Sequence, residues 1–235
     1  MAPEALTTTV SLAVADAPAM SAFVARPART GPLPGLLLFQ EAFGVNGHIR
    51  DVAQRFAREG YVVIAPELFH RTAPGFQGRY DDFDSVRPQM QALTTAGLEA
   101  DIRAAYAWLI SDPGVNRDRT HAVGYCMGGR VAFLANLVVP VVSSASYYGG
   151  GMVPEYLPRV KDAHGSALFF WGGLDKHLGL ENPRALTDAL RAAGKSTIHV
   201  EISDAEHGFF CNERPAYNPR AAREAWALTL AFFRE

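Results

Sequence analysis

Short runs of consecutive apolar residues alternate along the chain with longer stretches in which apolar residues recur every three or four positions. The short runs are typical of strands that are covered on both faces of a sheet, whereas the longer stretches are typical of helices with one buried face. The runs predict strands at 35–39, 61–65, 121–124, 141–147, 167–171 and 197–202. The longer stretches predict helices at 48–58, 88–110, 128–136, 186–193 and 221–233.

Strands that alternate with helices at this spacing predict an α/β fold with a mostly parallel central sheet and helices on both faces. The pattern differs before residue 34, where segments 8–14 and 20–25 predict two strands that we expect to pair antiparallel. No linker rich in proline, glycine or serine divides the chain. We therefore predict a single domain over residues 1–235.

One uncharged segment, from Val131 to Pro154, is long enough to cross a bilayer on length alone. Pro140 and the glycines at 149–151 interrupt it, so a buried helix followed by a buried strand explains it better. The first residues carry no basic segment ahead of an apolar one. We expect no membrane contact, no secretory signal and a cytoplasmic protein.

Charge and cysteine content exclude several functions. The chain of 235 residues has 22 basic and 24 acidic residues, a formal net charge of −2, so no basic excess supports binding to nucleic acid. The two cysteines, Cys126 and Cys211, are too few for a disulfide scaffold and lack the spacing of a zinc site. We expect no cofactor, no metal and a monomer.

The sharpest local motif is Gly124-Tyr125-Cys126-Met127-Gly128-Gly129, where a predicted strand meets a predicted helix. This is the pattern of a nucleophile elbow with cysteine in the place of serine. The flanking glycines suit a tight turn, and the N-terminus of the following helix favours a thiolate. The N–H of Met127 would point at a developing oxyanion. A buried structural cysteine is the alternative.

A thiol nucleophile needs a base, and the base needs an orienting group. In hydrolases of this architecture the order along the chain is nucleophile, acid, histidine. Asp175 follows the strand predicted at 167–171, and His207 follows the strand predicted at 197–202. Both positions are carboxyl ends of strands, where open α/β sheets place their sites. We therefore predict Cys126, Asp175 and His207 as catalytic.

Other titratable residues fit these roles less well. His177 lies near the predicted acid in sequence, which indicates a surface loop, and His121 begins the predicted nucleophile strand at the wrong end of the sheet. Asp204 and Glu206 lie beside the predicted base, but adjacent side chains rarely converge on one ring. The remaining histidines are expected at polar surface positions or with satisfied partners: His48, His70, His164 and His199.

Gln40-Glu41-Ala42 follow the strand predicted at 35–39 and should lie at the same end of the sheet. In α/β hydrolases the amide just after this strand commonly supplies the second oxyanion donor, which here is the N–H of Ala42. A carboxylate beside a thiol can also modulate its ionisation, which makes Glu41 a candidate. A solvated loop carboxylate is the alternative.

With these motifs together, the chain resembles the dienelactone hydrolase family of α/β hydrolases. The resemblance implies Cys126 as nucleophile, His207 as base and Asp175 as orienting acid. It also implies that Glu41 holds the resting thiol and helps to deprotonate it, and that Tyr148 lines the pocket. The resemblance runs from about Pro34 to the C-terminus and rests on the motifs at 40–46, Arg50, 66–69, 124–129, 147–149, 172–175 and 206–209.

Substrate recognition is where the resemblance weakens. Family members bind a substrate carboxylate with arginines from the loop after the second core strand and from just beyond the histidine. Arg79 and Arg87 both lie in the first region, and the sequence does not choose between them. Beyond the histidine, Arg214 stands further along the chain than the family's arginine, and Cys211 is nearer that position.

These residues predict an enzyme that hydrolyses an unsaturated lactone, such as dienelactone to maleylacetate, through an acyl-thioester. The family resemblance places such a reaction in the degradation of aromatic compounds. A general carboxylesterase or thioesterase with the same triad is the alternative. A catalytically silent ligand-binding domain is a third reading, which the intact triad disfavours. The expected partner is a small ester or lactone.

Overall fold

The structure, a computed structural model, describes residues 4–29, 31–178 and 181–235. These residues divide into two units, one that ends at His121 and one that begins at Ala122. The elements of the first unit are β1 (Ala5–Leu12), β2 (Met20–Pro27), β3 (Leu33–Phe39), α1 (Gly47–Arg58), β4 (Val62–Pro66), α2 (Phe83–Gln91), α3 (Thr95–Ser111) and the start of β5 (Val115–Tyr125). The elements of the second unit are the end of β5, α4 (Met127–Val138), β6 (Ser143–Tyr147), a 3₁₀ helix (Leu157–Asp162), β7 (Ser166–Gly172), α5 (Glu181–Ala192), β8 (Thr197–Ile202) and α6 (Pro219–Phe232).

The strands of the described residues form a mostly parallel sheet of eight, as predicted. In the first unit the order is β1-β2-β4-β3, with β1 antiparallel to β2, as the sequence indicated, and β3 parallel to β4. In the second unit β6, β7 and β8 are parallel neighbours, with Ser143 opposite Ser166 and Ala167 opposite Thr197. The carboxyl ends of β7 and β8 therefore lie at the same edge.

The helices begin and end where capping chemistry allows. The side chain of Asn46 accepts a hydrogen bond from the N–H of Ile49 and starts α1, whose buried face carries Ile49, Val52 and Phe56. The uncharged segment that the sequence assigned to a helix and a strand is α4 followed by β6, as predicted. Among the helices that the structure describes, none has both the length and the apolar composition that crossing a bilayer requires.

Several boundaries shift from the sequence prediction by a few residues, and two differences are larger. Residues 88–110 were expected as one helix but form α2 and α3, because Thr94 accepts the N–H of Gly97 at 3.1 Å and caps a new helix start. Strand β5 begins at Val115, ahead of the predicted 121, since polar residues at 116–119, of which 117–119 are exposed, hide its first half from an apolar pattern. His121 therefore lies inside the strand and not at its start.

Candidate active site

Cys126 occupies the sharp turn between β5 and α4. Its backbone φ of 55° and ψ of −120° lie in a region that residues with a side chain rarely adopt. A Cβ atom on Gly124 would lie 1.9 Å from the carbonyl oxygen of Gly128, so the turn closes only with glycine at that position. The strained turn leaves the Cys126 side chain partly exposed at the start of the helix.

The first turn of α4 provides a positive electrostatic environment for the sulfur. Cys126 precedes the helix, and its side chain makes no capping hydrogen bond. Met127 is the first helical residue, so the helix itself contains no acceptor for its N–H. The helix dipole favours a thiolate at this end, and the Met127 N–H can bind an oxyanion that forms at the sulfur.

The loop after β7 positions Asp175 by packing closely against the loop after β8. A Cβ atom on Gly173 would lie 2.7 Å from the Cα of Ser203, so glycine permits this approach. The N–H of Leu174 donates to the carbonyl oxygen of Ala205 at 2.9 Å. The loops after β7 and β8 are thus joined by a hydrogen bond. The Asp175 carboxylate faces the loop after β8, which contains the predicted base His207.

The structure brings the three predicted catalytic side chains together. His207 Nδ1 lies 2.7 Å from Asp175 Oδ2, and His207 Nε2 lies 3.1 Å from Cys126 Sγ. The second carboxylate oxygen, Asp175 Oδ1, accepts the backbone N–H of His177 at 2.9 Å. The Asp175 side chain is 1% exposed, so these two hydrogen bonds replace its hydration. These distances are the ones that a nucleophile, a base and an orienting acid require, and the assignment of those roles stays a prediction.

The electrostatics of this group favour a protonated His207. Burial alone would lower the pKa of the imidazole, but hydrogen bonds to Asp175 and Cys126 and the charges of both groups outweigh burial and raise the pKa to about 10. An imidazolium at neutral pH has the sulfur on one side and the carboxylate on the other. It stabilises negative charge on the sulfur and carries a proton that a leaving group can accept.

Two rings flank His207. The ring of Tyr148, a fully buried residue at φ 42°, lies 5.1 Å from the His207 ring, centroid to centroid, at an interplanar angle of 61°. The ring of His177 lies 5.2 Å away at 72°. His177 belongs to an exposed loop, as its place in the sequence indicated. The sequence analysis did not predict that the His177 ring contacts His207. The one feature of the sequence that could have indicated this contact is that His177 lies two positions after Asp175.

Glu41 and Ala42 belong to the first unit, just after β3, and both are fully buried. Glu41 Oε2 accepts a hydrogen bond from the Tyr80 hydroxyl at 3.2 Å, and that hydroxyl accepts one from Asn46 Nδ2 at 3.0 Å. Glu41 is therefore not the solvated loop carboxylate of the alternative reading. The roles of Glu41 in thiol chemistry and of Ala42 as an oxyanion donor stay predictions.

The candidate substrate-binding arginines differ in their surroundings. The Arg79 guanidinium donates twice to the Asp81 carboxylate, at 2.9 and 2.6 Å, with the side chain 78% exposed. Arg87 donates to Asp84 at 3.2 Å and is also exposed. Each of these cations is paired with a carboxylate three or fewer positions away.

Arg214 is placed differently. A Cβ atom on Gly208 would lie 2.3 Å from Arg214 Nη1, so the guanidinium occupies the space beside a residue that has φ of +85° and no side chain. Gly208 directly follows His207. The partly buried Arg214 thus turns back towards the base although it is seven positions further along the chain.

The alternative acids and bases have other partners. Asp204 pairs with Arg220, and Glu206 is exposed. The buried His70 ring has its Nε2 3.0 Å from Asp101 Oδ1, whereas its Nδ1 has no hydrogen-bond partner among the described residues, so only one of its two nitrogens is satisfied.

Comparisons with known proteins show which family the sequence matches. The dienelactone hydrolase family profile matches residues 20–235. A Synechocystis protein named "Putative carboxymethylenebutenolidase" is 31% identical over 224 residues, 91% of each chain. The carboxymethylenebutenolidase of Pseudomonas putida is 31% identical over 231 residues, 97% of this chain and 96% of its own.

A solved structure shows the same likeness. The crystal structure of a "Putative Dienelactone Hydrolase" from Klebsiella pneumoniae subsp. pneumoniae MGH 78578 is 27% identical, has a TM-score of 0.85 and covers 98% of this chain and 99% of its own. The sheet, the elbow motif and the family match over most of the chain lead to one conclusion. The chain belongs to the dienelactone hydrolase family of α/β hydrolases, enzymes that act on ester bonds.

Proposed function

We propose that this protein hydrolyses an unsaturated, carboxylate-bearing lactone of the dienelactone type to maleylacetate, through an acyl-thioester on Cys126. The observation that carries the proposal is the contact of one imidazole, His207, with both Cys126 Sγ and Asp175 Oδ2. This constellation activates a thiol for attack on an acyl carbon. The named activity of the Pseudomonas putida relative supports the lactone as substrate.

Acylation begins with the thiolate of Cys126 opposite the protonated His207. The sulfur attacks the lactone carbonyl carbon, a C–S bond forms, and the carbonyl electron pair moves to oxygen. The N–H of Met127, joined in the proposal by that of Ala42, stabilises this oxyanion. Collapse breaks the ring C–O bond and expels an enolate, which takes the proton from His207 Nε2.

Deacylation uses the imidazole that acylation left neutral. His207 Nε2 removes a proton from water as the water oxygen attacks the thioester carbonyl, and a second oxyanion forms in the same place. Collapse breaks the C–S bond and returns the thiolate beside the imidazolium. The product acid loses its proton to solvent. An enolate is a good leaving group, so a thiol nucleophile is sufficient for this class of ester.

The substrate carboxylate requires a cation near the reacting atoms. We propose Arg214 for this role, because its guanidinium lies against Gly208, the residue next to His207. A guanidinium can bind a carboxylate with two parallel hydrogen bonds. The sequence did not distinguish Arg214 from Arg79 and Arg87. The partly buried position of Arg214 beside Gly208 favours it over the exposed Arg79 and Arg87.

A general carboxylesterase or thioesterase is the second candidate. The pairing of Arg79 with Asp81 and of Arg87 with Asp84 favours it, since a cation already compensated by a carboxylate attracts an anionic substrate less. Both candidates share the catalytic steps. They differ in whether a negative charge on the substrate raises or lowers kcat/KM.

A comparison of two substrates tests the proposal. Purified protein and its Cys126→Ala variant are assayed on dienelactone, by the loss of its ultraviolet absorbance, and on p-nitrophenyl acetate. We expect dienelactone to be the better substrate by at least about tenfold in kcat/KM, with no turnover by the variant. Hydrolysis of the neutral ester alone would favour the general esterase, and activity on neither would refute both.

Four wider expectations accompany this function. We propose that the enzyme acts as a monomeric single domain, in the cytoplasm, without metal or cofactor, in the degradation of an aromatic compound. Sedimentation of the purified protein tests the monomer, and full activity after dialysis against a chelator tests the metal. Growth of a deletion strain on aromatic carbon sources tests the metabolic role.

A further inference from the structure

The His207 ring is held from four directions within the second unit. Two contacts are made by its nitrogens, to Asp175 Oδ2 and Cys126 Sγ. The other two are the tilted rings of Tyr148 and His177, whose centroids lie 5.1 and 5.2 Å from its own. Tilted pairs at this spacing are attractive, because the positive edge of one ring meets the negative face of the other.

The four contacts do not persist equally through the reaction. In the free enzyme His207 Nε2 lies 3.1 Å from the Cys126 sulfur. Once that sulfur is bonded to the acyl group, it is neutral and a poor hydrogen-bond acceptor. One strong hydrogen bond, from Nδ1 to Asp175, then remains, and one bond restrains the χ1 and χ2 rotations of the imidazole less than two bonds do. The two flanking rings oppose these rotations.

The two rings are not equivalent. Tyr148 is fully buried, so the packing of the core holds it in place. His177 is exposed, and its backbone N–H donates to Asp175 Oδ1 at 2.9 Å. One residue therefore contacts both partners of the base-acid pair, the carboxylate through its backbone and the imidazole through its side chain. Only the side-chain contact is lost when His177 is replaced.

We infer that the His177 ring is a positioning residue for deacylation: it keeps His207 aimed at the attacking water while Cys126 carries the acyl group. This inference rests on the acyl-thioester mechanism proposed above. It predicts that His177 acts through ring packing and not through a hydrogen bond or proton transfer of its own. A phenyl ring at this position should therefore serve, and an amide should not.

The test measures acylation and deacylation separately for wild type and for the His177→Ala, His177→Phe and His177→Gln variants. With p-nitrophenyl acetate, the stopped-flow burst reports acylation, and the decay of the acyl-enzyme by intact mass reports deacylation. The matched control is His164→Ala. His164 is also an exposed histidine, but it precedes the N-terminal end of β7, whereas His177 follows the C-terminal end. Far-ultraviolet circular dichroism and melting temperature report folding.

We expect His177→Ala to slow deacylation about three- to tenfold, the range expected for loss of one aromatic pair, and to change the acylation rate less than twofold. Because acyl-enzyme then accumulates, kcat and KM should fall together. His177→Phe should restore deacylation, and His177→Gln should resemble the alanine variant. His164→Ala should behave as wild type.

Several results would overturn the inference. Deacylation by His177→Ala within 1.5-fold of wild type, rescue by glutamine without rescue by phenylalanine, or a loss confined to acylation would each refute it. Absence of any acyl-enzyme in wild type would refute the proposed mechanism and this inference with it. A normal acyl-enzyme in wild type with an unchanged decay in the alanine variant would refute the inference alone.

Discussion

His207 Nε2 lies 3.1 Å from Cys126 Sγ, although 81 positions separate the two residues in the chain. The contact joins an imidazole in the loop after β8 to a thiol at the start of α4. Its distance allows a proton to move between nitrogen and sulfur with little motion of either side chain. The sulfur and the imidazole nitrogen are therefore close enough to share one hydrogen bond.

Alkylation distinguishes Cys126 from Cys211. Cys126 is partly exposed at a helix N-terminus, whereas Cys211 is fully buried, so iodoacetamide should modify Cys126 first in the folded protein. We expect stoichiometric modification at Cys126 to stop turnover, and Cys126→Ala to lower kcat/KM by about 10³-fold or more. Peptide mass spectrometry gives the modified site. Full activity of a protein alkylated at Cys126 would contradict the nucleophile assignment.

The proton on His207 should persist well above neutrality. Its pKa of about 10 means that nitrogen-15 NMR should detect an imidazolium at pH 8 in the wild type. Cys126→Ala removes a hydrogen bond and a charge that both raise this pKa, so the pKa should fall in the variant. Exposed His164 serves as the internal control. A His207 ring that titrates near the ordinary 6.5 in wild type would contradict the charged pair.

Glu41→Gln tests the role that the family resemblance assigns to this carboxylate. Glutamine retains an oxygen that can accept the Tyr80 hydroxyl, so the melting temperature should change little. If the negative charge assists the thiol, turnover should fall more than about tenfold. Tyr80→Phe is the matched control, because it removes the hydroxyl and leaves the charge. A loss of less than twofold for Glu41→Gln would refute the role.

Three arginine variants test recognition of the substrate charge. We expect Arg214→Ala to lower kcat/KM for the anionic lactone by about 30-fold to 10³-fold, chiefly through KM, since a charge-assisted contact in a partly buried site is lost. A neutral ester should be almost unaffected. Arg79→Ala and Arg87→Ala are the matched controls, since both cations pair with adjacent carboxylates. If no variant separates the two substrates, the general esterase should replace the lactone hydrolase.

Two histidines should make the fold sensitive to acid. Burial and a neighbouring arginine lower the pKa of His121 and of His199 to about 4, from an ordinary 6.5. Between these values the unfolded chain binds more protons than the folded protein, so the free energy of unfolding should fall as the pH falls from about 6.5 to about 4. The buried His121 should contribute on the order of 2–3 kcal/mol to that loss, and the partly exposed His199 should contribute less, because solvent screens its surroundings.

Urea unfolding at neutral and acidic pH checks this. His199→Gln should reduce the acid-induced loss of stability, because glutamine does not titrate. His164→Gln, the same substitution at an exposed histidine, is the control for the substitution itself. Equal pH dependence in wild type and His199→Gln would show that burial of the His199 ring does not contribute.

Hydrogen bonding that an apolar pattern does not reveal accounts for the two larger errors of sequence interpretation. The helix break at Thr94 required a side-chain cap that outweighs continuous helical propensity. The early start of β5 required strand pairing by exposed polar residues, which an apolar pattern does not reveal. Neither error changed the predicted catalytic residues, because the carboxyl ends of β5, β7 and β8 lie within one residue of those predicted.

The amino-acid pattern was sufficient to predict the α/β alternation and the catalytic candidates Cys126, Asp175 and His207. In a parallel sheet, every turn that follows a strand lies at the carboxyl edge, so residues in such turns can be assigned to that edge from the sequence. The tertiary structure alone decided that His177 packs against His207, that Arg214 turns back to Gly208, and that Arg79 and Arg87 pair with their neighbours. The physical reason is that hydrophobic periodicity is a local property. The direction of a loop side chain, in contrast, depends on contacts with residues that are distant in sequence or on competition between nearby charges.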